Sequence, residues 1–78
     1  MFDYRKLRGR IIEIFGSVEK FAKEAKMTAT TIGRKLSGKS SWTQDEIVLS
    51  CDLLDIPTNE ITVYFFTDKV EKTQLKEP

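Results

Sequence analysis

Gly33-Arg34-Lys35-Leu36-Ser37-Gly38-Lys39-Ser40 satisfies G-x-x-x-x-G-K-[ST], the expression of a nucleotide phosphate loop, letter for letter. That chemistry needs a buried strand to deliver the loop and a helix N-terminus to receive the phosphate. Here the preceding segment has helical period, no apolar strand leads into it, and no second strand presents a magnesium-binding acid. Nucleotide hydrolysis is therefore disfavoured, and the same glycine, lysine and serine suit a helix C-cap followed by phosphate contacts. The chain has no histidine and one cysteine, so the common zinc sites and histidine-dependent triads cannot be assembled. The paired carboxylates Asp45/Glu46 and Asp52/Asp55 sit on a helix exterior, where they cap or solubilise. Cys51 reads as a small buried apolar residue, with a reactive or ligand role the minor alternative. No enzymatic activity, metal, cofactor or small-molecule substrate is expected.

The segment around that motif has its own logic. Ser17 to Gly38, SVEKFAKEAKMTATTIGRKLSG, reads as two short amphipathic helices joined by a tight turn. Ser17 can cap the first, in which Val18, Phe21, Ala22 and Ala25 share one face at the 3.6-residue period. Lys26 and Met27 make the turn, and Thr28 caps the second helix, in which Ile32 and Leu36 point inward. The opposite face carries Ala29, Thr30, Thr31, Gly33, Arg34 and Lys35. Those residues are small, hydroxylated or basic, the chemistry of a helix that enters a major groove and meets base edges and phosphates. Lys39, Ser40 and Ser41 follow as a polar loop able to hold phosphates through ammonium, hydroxyls and backbone N–H groups. The pattern is that of a helix-turn-helix, with an ordinary helical hairpin as the alternative. At the turn, where such motifs often place glycine for positive φ, this chain has Lys26.

The elements that must hold this pair fill a chain of 78 residues, enough for one small domain. Its net charge is only +1, but residues 1–42 hold ten basic and four acidic residues while residues 43–78 hold three basic and eight acidic. Such segregation gives a basic surface around the second helix of the pair, or else serves solubility. No apolar run is long enough to span a membrane or to form a signal peptide, so a cytoplasmic protein is expected.

Before the pair, a helix opens at Phe2-Asp3-Tyr4 with Asp3 as N-cap and Leu7, Ile11, Ile14 and Phe15 as its inward stripe. Arg5, Lys6, Arg8 and Arg10 coat its outside, Gly9 marks a close approach to another helix or to DNA, and Gly16 ends it. After the pair, Thr43 and Glu46 form a capping box, with Trp42 and Ile47 at the positions of a hydrophobic staple. Ile47, Val48, Cys51 and Leu54 make the inward face of that helix, and Pro57 stops it. Thr58 can cap a brief last helix carrying Ile61, Tyr64 and Phe65. Residues 1–66 thus form the domain, and residues 67–78 read as a polar, mobile tail, with a short strand or arm over Thr67–Val70 as the alternative.

The opening MFDYRKLRGRI, the FAKEAKMTATTIGRKLSGK core, the WTQDEI helix start and the closing YFF resemble the lambda-type phage repressor and Cro-like helix-turn-helix proteins. More narrowly, they resemble short phage and prophage proteins of Gram-positive bacteria. The resemblance implies an all-α, five-helix domain that binds double-stranded operator DNA, usually as a homodimer. It places Ala29, Thr30, Gly33 and Arg34 against bases. Ser17, Thr28, Thr31, Lys35, Lys39 and Ser40 fall near phosphates by the resemblance or by their cap and loop positions. Lys26 and Ala29, where many relatives carry glutamine, depart from the wider pattern. Two functions follow. The first is a sequence-specific transcriptional regulator of a phage or prophage; the alternative is an antirepressor or modulator that binds a partner repressor protein. A structural bundle without a nucleic-acid role is the third reading.

Overall fold

Hydroxyl caps set where three of the helices of this chain begin. In the computed structural model, which describes residues 2–68, the elements are α1 (Arg5–Phe15), α2 (Val18–Glu24), α3 (Ala29–Leu36), α4 (Gln44–Leu54), a 3-10 turn at Thr58–Glu60, and α5 (Ile61–Phe65). Ser17 Oγ accepts the Lys20 N–H at 3.2 Å and Thr28 Oγ1 accepts the Thr31 N–H at 3.0 Å, so α2 and α3 start where hydroxyls replace missing backbone acceptors. At α4 the capping box is complete: the Thr43 hydroxyl accepts the Glu46 N–H and the Glu46 carboxylate accepts the Thr43 N–H. Asp3 lies two residues before α1 and still caps it, its carboxylate accepting the Arg5 N–H at 3.0 Å.

Left-handed residues set where four of the helices end, α3 through Gly38 at φ 85°. Gly16 closes α1 at φ 87°, Lys26 follows α2 at φ 61°, and Asp55 closes α4 at φ 55°. At Lys26 the Met27 N–H reaches back to the Ala22 carbonyl at 2.9 Å, and after Asp55 the Ile56 N–H reaches the Cys51 carbonyl at 2.9 Å. Both satisfy carbonyls that a helix end leaves open, and both do so without glycine. Arg10 adds a cross-link. Its guanidinium donates to the Leu54 carbonyl at 2.9 Å and the Asp55 carbonyl at 3.2 Å, placing positive charge at the negative end of α4. Arg10 therefore does not coat the outside of α1 as expected, but fastens that helix to α4.

The helices enclose one core of Leu7, Ile11, Phe21, Ala22, Ala25, Ile32, Leu36, Leu54, Ile56 and Phe65. Ala22 is the small residue that lets α2 approach its neighbours. Two expected inward residues are outside. Ile14 is exposed because the last turn of α1 meets α2 through Phe15, whose ring stands edge-on to Phe21 at 5.5 Å. Val48 is 61% exposed: the inward stripe of α4 runs through Ile47, Ser50, Cys51 and Leu54, and at 100° per residue Val48 falls off its edge. Ser50 is fully buried in its place. Gly9 has nothing within 4 Å of the direction a side chain would take, so it marks no close approach.

The chain ends meet. Asp3 N–H donates to the Thr67 carbonyl, Phe2 and Asp68 form an isolated antiparallel bridge, and the Phe2 and Phe66 rings stand edge-on at 5.5 Å. Thr67 and Asp68 are thus tied back to the N-terminus rather than starting a tail, and the rest of the expected tail, 69–78, lies outside the described residues. Among the described residues there are five α-helices and no strand, an all-α architecture.

A lysine held at φ 61° stores strain that glycine would not. Lys26→Gly should stabilise the domain by about 1 kcal/mol and raise Tm by several degrees in thermal unfolding followed by circular dichroism.

Candidate functional site

The outer face of α3 holds most of the residues nominated by sequence, and the structure commits several of them to internal duties. The Thr28 hydroxyl accepts the Thr31 N–H and donates to Thr31 Oγ1 at 2.9 Å, while the Ser17 hydroxyl caps α2. Ala29 is half-buried against the core. Gly33 is half-exposed with open space before it, and Thr30 and Arg34 stand exposed one turn apart. Lys39 is exposed, whereas Ser40 is half-buried beside an aromatic cleft.

The loop after α3 does not offer backbone donors to a phosphate. Lys39 and Ser40 N–H groups both turn back to the Arg34 carbonyl, at 2.8 and 3.3 Å, and Gly38 N–H turns to the Lys35 carbonyl at 3.3 Å. With Gly38 at φ 85° this is a helix C-cap, and its N–H groups are spent on the helix. The phosphate-loop spelling has no phosphate-loop geometry behind it.

Lys35 corrects the sequence reading most sharply. It was expected on the outer face near phosphates, yet it is 6% exposed. Its Nζ donates to the Ser41 carbonyl at 2.8 Å, lies 2.8 Å from Glu46 Oε1, and sits 5.9 Å from the centre of the Trp42 ring. The cause is angular: Lys35 is three residues after Ile32 and next to Leu36, so it falls on the inner edge of α3. There its aliphatic stem packs and its ammonium meets the Glu46 carboxylate that also caps α4. Burial pushes the Glu46 carboxyl up, but the Lys35 hydrogen bond and charge and the Thr43 bonds outweigh it and hold the group below its usual value of 4.5.

A second surface was not anticipated from sequence. On α4, Asp45, Val48, Leu49 and Asp52 are all exposed and follow an i, i+3, i+4, i+7 spacing, so they form one outer stripe. Beside it, a groove of about 330 Å³ runs between α4 and the turn into α5, over Val48, Cys51, Ile56 and Ile61, with Asp52 and Asp55 on its rim. Burial pushes the Cys51 thiol up, which disfavours the reactive thiolate. The signal was present, since apolar residues flanked by acids at helical spacing describe a stripe; it was masked by assigning Val48 to the core. A smaller cleft of about 240 Å³ lies between Phe2, Tyr4, Trp42, Phe66 and the Ser40–Ser41 loop. No helix among the described residues is long and apolar enough to cross a membrane.

A family model described as "Protein of unknown function (DUF739)" matches residues 1–68. The chain belongs to the DUF739 family. No curated protein matches it. Among solved structures it is similar to the solution structure of the modulator of repression (MOR) of the temperate bacteriophage TP901-1 from Lactococcus lactis, with 34% identity and a TM-score of 0.75. The match covers 90% of this chain and 95% of that one.

This similarity overturns the leading expectation, a Cro- or repressor-like regulator that works by reading operator DNA. The matched protein is described as a modulator of repression, so the alternative reading is the one supported. The likeness is to a phage regulatory protein, a coarser kind than the lambda-type repressor family that the residues resemble. Operator DNA and a homodimer, both drawn from that resemblance, gain no support from it.

The lowered Glu46 carboxyl implies an acid-sensitive fold. Its contribution is present above about pH 4.5, the ordinary value, and is lost as the pH falls through the lower folded value. Glu46→Gln should flatten the dependence of unfolding free energy on pH in that acid range, as read by urea unfolding at stepped pH. Lys35→Met, which keeps the stem but leaves Glu46 unpaired, should destabilise by about 1–3 kcal/mol at pH 7.

Proposed function

We propose that this chain modulates phage repression by binding the repressor protein itself rather than its operator. The observation that carries the reading is the 34% identity and TM-score of 0.75 to a modulator of repression over 90% of the chain. The chemistry of α3 supports it. The hydroxyls of Ser17 and Thr28 cap helices, Thr31 Oγ1 accepts the Thr28 hydroxyl, Lys35 is paired inside, and the Gly38, Lys39 and Ser40 N–H groups are spent on α3. What the helix still presents to solvent is Thr30 and Arg34, with Lys39 beyond its end, a thin set for reading an operator. The chain takes no catalytic step in this reading, and it acts where the repressor is, in the cytoplasm.

The test uses the repressor encoded by the same genome. The purified chain should co-elute with that repressor in size-exclusion chromatography. It should also change the repressor's apparent affinity for its operator by about fivefold or more in a mobility-shift titration. An unchanged repressor titration without co-elution, whatever the chain does with the operator alone, would sink the proposal.

A further inference from the structure

We propose that the groove between α4 and the turn into α5 takes a basic amphipathic helix of a partner protein; that this partner is a repressor rests on the functional reading above. The groove combines two features that a helix of that kind matches. Its floor and lip are apolar, formed by Cys51, Ile56, Ile61 and Val48, and Val48 at 61% exposure is the most exposed of the large apolar side chains among the described residues. Leu49, 37% exposed, extends the apolar strip along α4. A helix laid here would bury apolar anchors at i, i+3 or i+4, and i+7 against that strip.

The rim supplies the sign of the partner's charge. Asp52 and Asp55 on the rim, and Asp45 on the adjoining stripe of α4, have no side-chain partner among the described residues. Residues 43–68 contain six acidic residues and no basic one. Of these, Glu46 is neutralised by Lys35, so it does not enlarge the rim. The cation that reaches this end of α4 is Arg10, and its guanidinium is taken by the Leu54 and Asp55 carbonyls and by Glu13 at 3.4 Å. The rim therefore attracts lysine and arginine flanking the apolar anchors and repels an acidic segment. Nucleic acid phosphates are excluded by the same charge.

The full chain, 15N-labelled, should be titrated with a lysine- and leucine-containing amphipathic helical peptide of about 18 residues, a length that spans α4 and the groove. A peptide with glutamate in place of lysine is the control. The expected result is saturable shifts centred on Val48, Cys51, Asp52, Asp55 and Ile61 with the basic peptide alone. Val48→Lys/Asp52→Lys, two exposed positions, should weaken that binding at least about tenfold, and Asp52→Asn by about twofold to fivefold, while Ile14→Lys on α1 leaves it unchanged. Shifts centred elsewhere, equal binding of the acidic peptide, or full binding by both groove variants would overturn the proposal. So would the same shifts on concentrating the chain alone, which would make a second copy the occupant. The repressor arm separates the two readings. Co-elution retained by Val48→Lys/Asp52→Lys would remove the groove and leave repressor binding standing. Groove-centred peptide binding without repressor co-elution of the unaltered chain would uphold the groove and remove the repressor as its occupant.

Discussion

The contact on which the rest of this small fold turns is the one between Lys35 and Glu46. One carboxylate oxygen accepts the backbone N–H that starts α4 and also meets the ammonium that arrives from α3, at 2.9 and 2.8 Å. The same ammonium donates to the Ser41 carbonyl, so a single cation fixes the end of α3, the loop and the start of α4 together. Such a pair pays desolvation on both partners, and an apolar pair of similar shape could match its stability. What it adds is register: it holds the Ser41 carbonyl and the Thr43 N–H in one arrangement. Trp42 is then held edge-on to Phe65 at 5.3 Å, which couples the loop to α5 and, through the aromatic ring series to Tyr4, to the start of the chain.

That arrangement explains why a helix pair with the spacing of a DNA reader presents so little to DNA. A reading helix needs its basic and hydroxyl groups free, whereas here several are committed within the domain. Thr28 and Thr31 bond to each other, Lys35 turns inward to Glu46, and the Gly38, Lys39 and Ser40 N–H groups fold back on the Lys35 and Arg34 carbonyls. Function is carried by sites placed on a fold rather than by the fold. Chains can share the helix-turn-helix frame and still differ in what they act on.

Much of the fold was legible in the residues. The caps at Ser17, Thr28 and Thr43, the stop at Gly16, the staple at Trp42 and the apolar spacing of α2 and α3 all rest on local rules that tertiary context left intact. What was illegible depended on the angular position of single residues near the edge of a stripe. Lys35, three residues after Ile32, and Val48, one after Ile47, each stand at the edge of a stripe, and each was read to the wrong side. Lysine was read by its charge and valine by its hydropathy, whereas packing placed both by angle. Arg10 fails for another reason, since its partners are carbonyls 44 and 45 residues away and nothing local announces them. The function was misread because the resemblance rests on the helix pair, which regulators of different action share.

The distribution of charge at the surface differs from its distribution along the sequence. The basic half of the sequence contains Lys35 and Arg10, which are consumed internally, so its surface is less basic than its composition. Among the described residues of the acidic half, Glu46 is the carboxylate taken by the same pairing. Asp45, Asp52 and Asp55 stay at the surface next to exposed Val48 and Leu49, and burying a lone charge beside apolar side chains is costly unless a partner supplies the opposite one. An apolar strip edged by bare carboxylates is therefore poorly suited to close on itself or on an acidic chain, and is suited to a partner that brings both apolar anchors and cations. On that physical ground α4 carries the proposed docking face.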